Sequence, residues 1–280
     1  SVTDALDDEH RFETRLLVES LRAPELADLL QFLKPELRER LVGYLRPDFE
    51  PEILPELEDD VRDEVAEQLG TKALARNIAR LESDDALELI SSLEEDRQRQ
   101  VFQAIPAAMR AMLEEGLAFP EDSAGRLMQR DFVAVPAFWT VGETIDYLRE
   151  ADDLPNDFYD LFVIDPRHRA TGTVALSHVL RSVRPIRIND IMDPDLVTVP
   201  ANMDQEEVAY IFAQHDLVSA PVIDDGGRLI GVIMVDDVVD VIHEEAEEDF
   251  MRLGGVREDD LYAAVLDTGR SRFSWLFVNL

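Results

Sequence analysis

Between Asp236 and Asp260 the chain carries eleven carboxylates and two arginines. Placed on a helix at about 100° per residue, Asp237, Asp240, Glu244 and Glu248 share one face, flanked by Glu245, Glu247 and Asp249. Val235, Val238, Val239, Ile242, Ala246, Phe250 and Leu253 gather on another. Lysine partners four residues away, the usual relief for such a face, are absent. Two carboxylates about 6 Å apart repel by roughly 3 kcal/mol at an effective dielectric near 20, and by less than about 1 kcal/mol in water. Such a face is therefore stable in solvent but not against a second acidic surface. There the groups separate, take up protons, or admit a divalent cation. Hard oxygens without Cys or His select Mg²⁺, Ca²⁺ or Mn²⁺ over zinc or copper. No EF-hand loop with its glycine and final bidentate Glu is present. On the residues alone two readings stand: a solvated acidic face, and a cation-binding one.

Other chemistry finds no support. The chain has no cysteine, which excludes disulfides, thiolate metal sites and thiol nucleophiles. His10, His168, His178, His215 and His243 are scattered, with no His-Glu-x-x-His pair. There is no Gly-x-Ser-x-Gly elbow and no phosphate-cradling Gly-x4-Gly-Lys loop, so no enzyme is expected. A formal charge of −34, from 61 acids against 27 bases, disfavours nucleic acid and anionic lipid as partners. No run reaches the roughly 20 apolar residues of a membrane helix.

The elements that must position the acids follow from periodicity. From Phe12 to about Leu117, leucines recur at three and four spacings: Leu26, Leu29, Leu30, Leu33, then Leu37, Leu41, Leu45. Proline followed by an acid marks helix starts at Pro24, Pro35 and Pro51, and Ser83-Asp84-Asp85 marks another. Asp84 there is as readily a helix cap as a ligand. Short helices in succession predict a superhelical stack of helix pairs. After Pro120 the chain repeats itself. Leu127–Pro136 matches Ile191–Pro200 at an offset of 64, and Gly172 matches Gly231 at an offset of 59. The first copy thus holds about five extra residues, placed around Asp152–Asp157. Each copy reads strand, helix, strand, turn, strand, helix, with Asp224-Asp225-Gly226-Gly227 as a hairpin turn. One copy cannot cover its own sheet, so the two are expected to pack as a pair.

Ser219–Asp224 followed by Gly231-Val232-Ile233-Met234-Val235-Asp236-Asp237 resembles a CBS domain, and Met128–Leu180 resembles a diverged first partner. The order of helical domain, Pro120-Glu121-Asp122-Ser123-Ala124-Gly125 linker, CBS pair and long acidic helix resembles the cytosolic part of the MgtE family of magnesium channels. The resemblance implies an α+β chain. An all-α superhelical domain at 1–118 precedes a tandem CBS pair at 119–185 and 186–250. A connecting helix and the truncated start of a membrane span occupy 251–280, with Glu258–Leu266 amphipathic and Arg270–Leu280 approaching the membrane. It further implies Mg²⁺ as the ligand, held by Asp237, Asp240, Glu245, Glu248 and Asp249 on the last CBS helix. Asp216 is implied with the carbonyl of Gly125, and Asp84, Asp85 and Glu88 as the opposing acids of the helical domain. Such a chain is a Mg²⁺-sensing region on the cytoplasmic side of the cell membrane, closing a pore in its own transmembrane domain and dimerising through its CBS domains. In the nucleotide motif of CBS domains, Gly-x-x-Ser/Thr-x-x-Asp, Gly231 and Asp237 are kept but Met234 replaces the hydroxyl. The first copy, Gly172 to His178, has lost both polar positions. Weak ATP binding or none is expected. The alternative function is a nucleotide-responsive CBS regulator whose acidic face is merely solvated.

Overall fold

In the computed structural model of the chain, residues 2–7, 10–152, 154–155 and 157–254 are described. The first part is helical: α1 (Val2–Asp7), α2 (Arg11–Val18), α3 (Ala23–Phe32), α4 (Pro35–Leu45), α5 (Asp59–Leu69), α6 (Thr71–Ile78), α7 (Ser83–Ser92), α8 (Glu95–Ala104) and α9 (Ala107–Gly116). The leucine pattern supplies its core, with Leu26, Leu30, Leu41, Leu69, Leu74, Ile90 and Leu113 buried in one cluster. Prolines open α3 and α4 as expected. At Pro51 the expected helix is only a three-residue 3-10 turn, and α5 starts at Asp59 instead. Pro55 explains the difference, because it has no N–H to return to the Pro51 carbonyl.

The second part holds the repeat. Its first unit contains α10 (Ala124–Leu127), β1 (Ala134–Pro136), α11 (Val141–Glu150), β2 (Asp160–Ile164), β3 (Ala170–Ala175) and α12 (Leu176–Arg181). The second contains β4 (Val199–Pro200), α13 (Gln205–His215), β5 (Ser219–Ile223), β6 (Leu229–Met234) and α14 (Val235–Gly254). Each sheet has three strands, the first parallel to the second and the second antiparallel to the third. The Asp224–Gly227 turn closes β5 onto β6, with Gly227 at φ 73° and the Asp224 carboxylate accepting from the amides of Gly226 and Arg228. The extra residues of the first copy fall between α11 and β2, where nine residues do the work that three do between α13 and β5; α13 is one residue longer than α11.

The units exchange their leading segments. Ala124 and Met128 are buried in the core of the second unit with Val199, Val222 and Ile233, not in that of the first. Reciprocally, Ile188 is buried with Val135 and Val163 of the first unit, and Met192 packs beside it. Each leading segment thus packs in the other unit's core, across the boundaries expected at 119 and 186. The repeated glycines follow from this exchange. A Cβ at Gly231 would lie 2.6 Å from the Met128 sulfur and 2.9 Å from the Gln129 carbonyl, and one at Gly172 would lie 2.6 Å from the Asp193 carbonyl. Phe162, Leu229 and Val232 form a small shared core between the sheets.

α14 departs from its expected amphipathicity. Val238 and Val241 are buried, but Val235, Val239 and Ile242 are 39%, 44% and 48% exposed, so part of the apolar stripe faces outward. No helix among the described residues is long and apolar enough to cross a membrane. The expected helix at Glu258–Leu266 and the stretch Arg270–Leu280 lie outside the described residues.

Candidate metal centre

Two helix starts meet at the junction between the helical domain and the second CBS unit. α7 follows Glu82 and carries Ser83, Asp84 and Asp85 in its first turn; α14 follows β6 directly and carries Asp236 and Asp237 in its first turn. Acids are favoured at these positions because the first-turn N–H groups and the helix dipole are positive there. The Ser83 hydroxyl accepts from the Arg130 amide at 2.6 Å, which ties the start of α7 to the segment entering the CBS pair. The Asp237 carboxylate accepts from the Met234 amide at 3.2 Å, half of a capping box. Met234 lacks the hydroxyl that would complete the box.

Between these helices lies a cavity of about 230 Å³. Asp84, Asp85 and Glu88 line it from α7, Asp237 and Asp240 from α14, and Glu121 and Asp122 from the linker. Burial raises the Asp85 carboxyl to a pKa of about 8, with Asp84, Glu82, Glu88 and Glu56 adding to the effect. Burial also raises Asp237, reinforced by Asp84, Asp236 and Asp85. Asp84 rises from burial first, opposed by the Asp85 amide and reinforced by Glu82. One Asp84 oxygen, Oδ1, is buried with no hydrogen-bond partner. A buried carboxylate oxygen is costly unless a proton, a water or a cation reaches it.

Cations of the chain itself answer little of this charge. Arg62, buried, donates to Glu88 at 2.7 Å and pairs with Asp59, so Glu88 already has a partner. Arg126 lines the cavity, but its guanidinium donates to the carbonyls of Phe119 at 3.0 Å and Leu117 at 3.3 Å. No three His, Cys, Asp or Glu side chains among the described residues are grouped tightly enough to hold an ion alone. The donor set is instead several separated carboxylates around a space with room for water. That suits a hydrated Mg²⁺, which keeps several waters and uses one or two carboxylates.

The expected residues divide as follows. Asp84, Asp85, Glu88, Asp237 and Asp240 share the cavity. Asp84 is not the helix cap, a position Glu82 occupies. Glu245 accepts from Gln205, itself a lining residue, at 3.4 Å. Gly125 is buried beside Arg126 and Leu127, its amide donating to Ala201 at 2.8 Å. Asp216 is not brought to this cavity. It is exposed at the end of α13 with φ 52°, where a left-handed residue stops a helix. Glu248 and Asp249 lie on α14, but their side chains are outside the described residues.

Comparison with known proteins places this geometry. Residues 21–122 match the MgtE intracellular N domain, and residues 188–244 match the CBS domain. The magnesium transporter MgtE of Thermus thermophilus is 34% identical over 197 residues, 69% of this chain and 44% of that protein. The crystal structure of the cytosolic domain of the Mg²⁺ channel MgtE in complex with ATP superposes with a TM-score of 0.79 at 29% identity, covering 86% of this chain and 98% of that one. The chain belongs to the MgtE family. Another solved structure, the soluble part of a magnesium transporter, matches 88% of this chain and 96% of its own at a TM-score of 0.75 and 25% identity. The helical N domain and CBS pair are thus the fold of MgtE cytosolic regions. This chain spans about half the length of the curated MgtE relatives it matches, 44% in Thermus thermophilus and 54% in Bacillus subtilis.

Within this MgtE cavity, Glu121, Asp122, Arg126 and Gln205 escaped the sequence reading. Glu121 and Asp122 sit inside the Pro120–Gly125 segment and look like linker residues. Their acid pair beside a helix-free stretch was a usable signal. Arg126 and Gln205 carried none, because only the exchange of segments brings α10 and the start of α13 beside α7.

Proposed function

We propose that this chain is the Mg²⁺-sensing regulatory region of a membrane magnesium transporter or channel. Acidic faces of the helical domain and the CBS pair meet across one junction when the ion is abundant and separate when it is scarce. The observation that carries the reading is the convergence of carboxylates from α7, the linker and α14 on one cavity, with an Asp84 oxygen left unpaired inside it. Asp84, Asp85, Asp237 and Asp240 are the residues proposed to hold the ion, with Glu121 and Asp122 completing its surroundings and Glu88 joining when it leaves Arg62. When bound, Mg²⁺ supplies the positive charge that lets these groups stay ionised in the closed junction. A ligand that prefers the closed state stabilises it by mass action, so weak sites suffice for a graded response. Closure would act on a transmembrane domain through the segment after α14, with the region on the cytoplasmic side of the membrane. Glu248, Asp249 and Asp216 remain proposed ligands of further ions at contacts with that segment or with a second subunit.

The second subunit is proposed to pack on the CBS helices. Tyr210 of α13 is 66% exposed and lies on the helix pair that also exposes Val235, Val239 and Ile242. An apolar patch of this kind on an otherwise strongly acidic chain fits a homodimer interface.

ATP is a second proposed ligand, favoured by the ATP complex of the MgtE relative. The cleft between the two CBS sheets, lined by Phe132, Tyr159, Asp160, Phe162 and Ser219, has a volume of only about 20 Å³. Asp237, the ribose-binding position of the CBS motif, is engaged at the metal cavity instead, which fits weak binding. Small-angle scattering of the chain in chelator and in excess MgCl₂ tests the main reading: a decrease in radius of gyration is expected, and an unchanged profile would falsify it. Calorimetry with ATP, with and without Mg²⁺, tests the other.

A further inference from the structure

Along the chain, one residue separates the core of the helical domain from that of the second CBS unit. Leu117 packs against the first and Phe119 against the second, with exposed Ala118 between them. The Pro120–Gly125 segment, a linker by its sequence, is not slack. The amides of Ala124 and Gly125 donate to the carbonyls of Met203 and Ala201, each at 2.8 Å, and the Gln205 amide donates to the Asp122 carbonyl at 2.8 Å. The Ser123 hydroxyl donates to the Pro120 carbonyl at 2.7 Å. The Phe119 ring lies on Gly125, where an added Cβ would be 2.4 Å from it. Residues 119–128 therefore belong with the CBS pair. Upstream, α9 lies on α7, since a Cβ at Gly116 would be 2.7 Å from the Leu87 side chain. The turn taken at Leu117–Phe119 thus aims the start of α7, with Asp84 and Asp85, at α14. One side chain closes that turn. Arg126 donates from Nε to the Phe119 carbonyl at 3.0 Å and from Nη2 to the Leu117 carbonyl at 3.3 Å. Both carbonyls lie just past the end of α9, where the helix supplies no N–H to meet them.

We propose that the swivel between the helical domain and the CBS pair is Leu117–Phe119, and that Arg126 is the positioning residue that clamps it. Standing on the CBS side, its planar fork bonds one carbonyl from each side of Ala118 and fixes the turn between them. Its donors are spent on carbonyls, so the clamp orders the junction without pairing with the carboxylates of the cavity. Lysine would carry the same charge on a flexible stem, without the fork that spans two acceptors. A hinge needs only a few residues at an element's end, and the end of α9 supplies them here. The inference rests on the reading that Mg²⁺ moves the helical domain against the CBS pair; the clamp sets the angle of that movement and binds no ion.

Two measurements on the whole chain test the clamp. Hydrogen exchange, followed residue by residue, should find the amides of Leu117, Ala118 and Phe119 faster than those of Ala124 and Gly125. Arg126→Met keeps the aliphatic stem and removes both donors, and Arg126→Lys keeps the charge. Each should speed exchange at 117–119 about tenfold and leave Ala124 and Gly125 unchanged. The second measurement uses the absence of native cysteine. Cysteines replacing exposed Glu67 and Asp225 report the distance between the helical domain and the second CBS unit after spin labelling. Both Arg126 variants should broaden that distance distribution and raise the Mg²⁺ concentration for half-closure about tenfold. If Arg126→Met does not fold, Arg126→Lys carries both measurements. Exchange at Ala124 and Gly125 ahead of 117–119 puts the swivel in the linker and overturns the proposal, as do variants that leave 117–119 unchanged. If Arg126→Lys restores the parent while Arg126→Met lowers the Mg²⁺ midpoint, Arg126 acts as a charge in the cavity and the clamp is refuted. A parent whose distances ignore Mg²⁺ removes the metal reading, and the exchange pattern still decides the clamp.

Discussion

If crowded carboxylates are what opposes closure, acid should replace the metal. Asp85 gives the scale. Burial and its acidic neighbours place its pKa at about 8 in the closed junction, against 3.8 for an ordinary aspartate. A raised carboxylate pKa favours the closed state below the value of the open state and loses that contribution as pH climbs through the closed-state value. The window therefore runs from about pH 4 to about pH 8. Lowering the pH from 8 to 5 in metal-free buffer should favour closure by about 4 kcal/mol through Asp85 alone, a factor of several hundred in the equilibrium. Asp84, Asp237, Glu82 and Asp240 are raised as well, so they act in the same direction. The assay is the distance between labels on the helical domain and the second CBS unit, followed against pH without metal. Asp85→Asn should already favour closure at pH 8 and flatten the pH response by most of its share. A metal-free distance distribution that is identical at pH 5 and pH 8 refutes the electrostatic argument, whatever Mg²⁺ then does. The same linkage predicts proton release when Mg²⁺ is added to the closed molecule at pH 7, read as a dependence of binding heat on buffer ionisation enthalpy.

Asp237→Ala with Asp240→Ala should abolish Mg²⁺-dependent compaction while leaving the circular dichroism spectrum intact, since neither side chain belongs to an apolar core; compaction at unchanged Mg²⁺ concentration would remove both residues from the site. Gly231→Ala should destabilise the CBS pair by about 1–3 kcal/mol, seen as a lower melting temperature, because its Cβ would strike the crossing Met128–Gln129 segment. Tyr210→Glu combined with Val239→Glu should convert a dimer to a monomer in analytical ultracentrifugation, and a retained dimer would move the interface elsewhere. Arg62→Met should release Glu88 toward the cavity, lowering the Mg²⁺ needed for closure, at a cost in stability from unpairing Asp59 and Glu88.

The sequence by itself determined the classes of element and narrowed what its acids could hold. Leucine spacing and proline–acid starts marked α3 and α4, since both signals act within one helical turn. The doubled Met-x-x-x-x-Val-x-Val-Pro pattern marked the paired units, because both copies meet the same packing need. Eight acids against one arginine on α14 limited any metal there to a hard cation, for a reason that needs no coordinates: like charges on one face repel when a second acidic surface meets it. Tertiary structure alone decided which acids meet. Asp84 and Asp237 lie more than 150 residues apart, and only the docking of α7 against the start of α14 brings them together. The exchange of leading segments, which carries Gln129 and Arg126 to the junction, leaves its trace in the sequence only as Gly172 and Gly231. A glycine records that something passes close by, but not what. Likewise the outward turn of Val239 and the inward turn of Asp237 reverse what a helical wheel suggests, because a wheel knows the angles between side chains and not which side the neighbouring domain occupies.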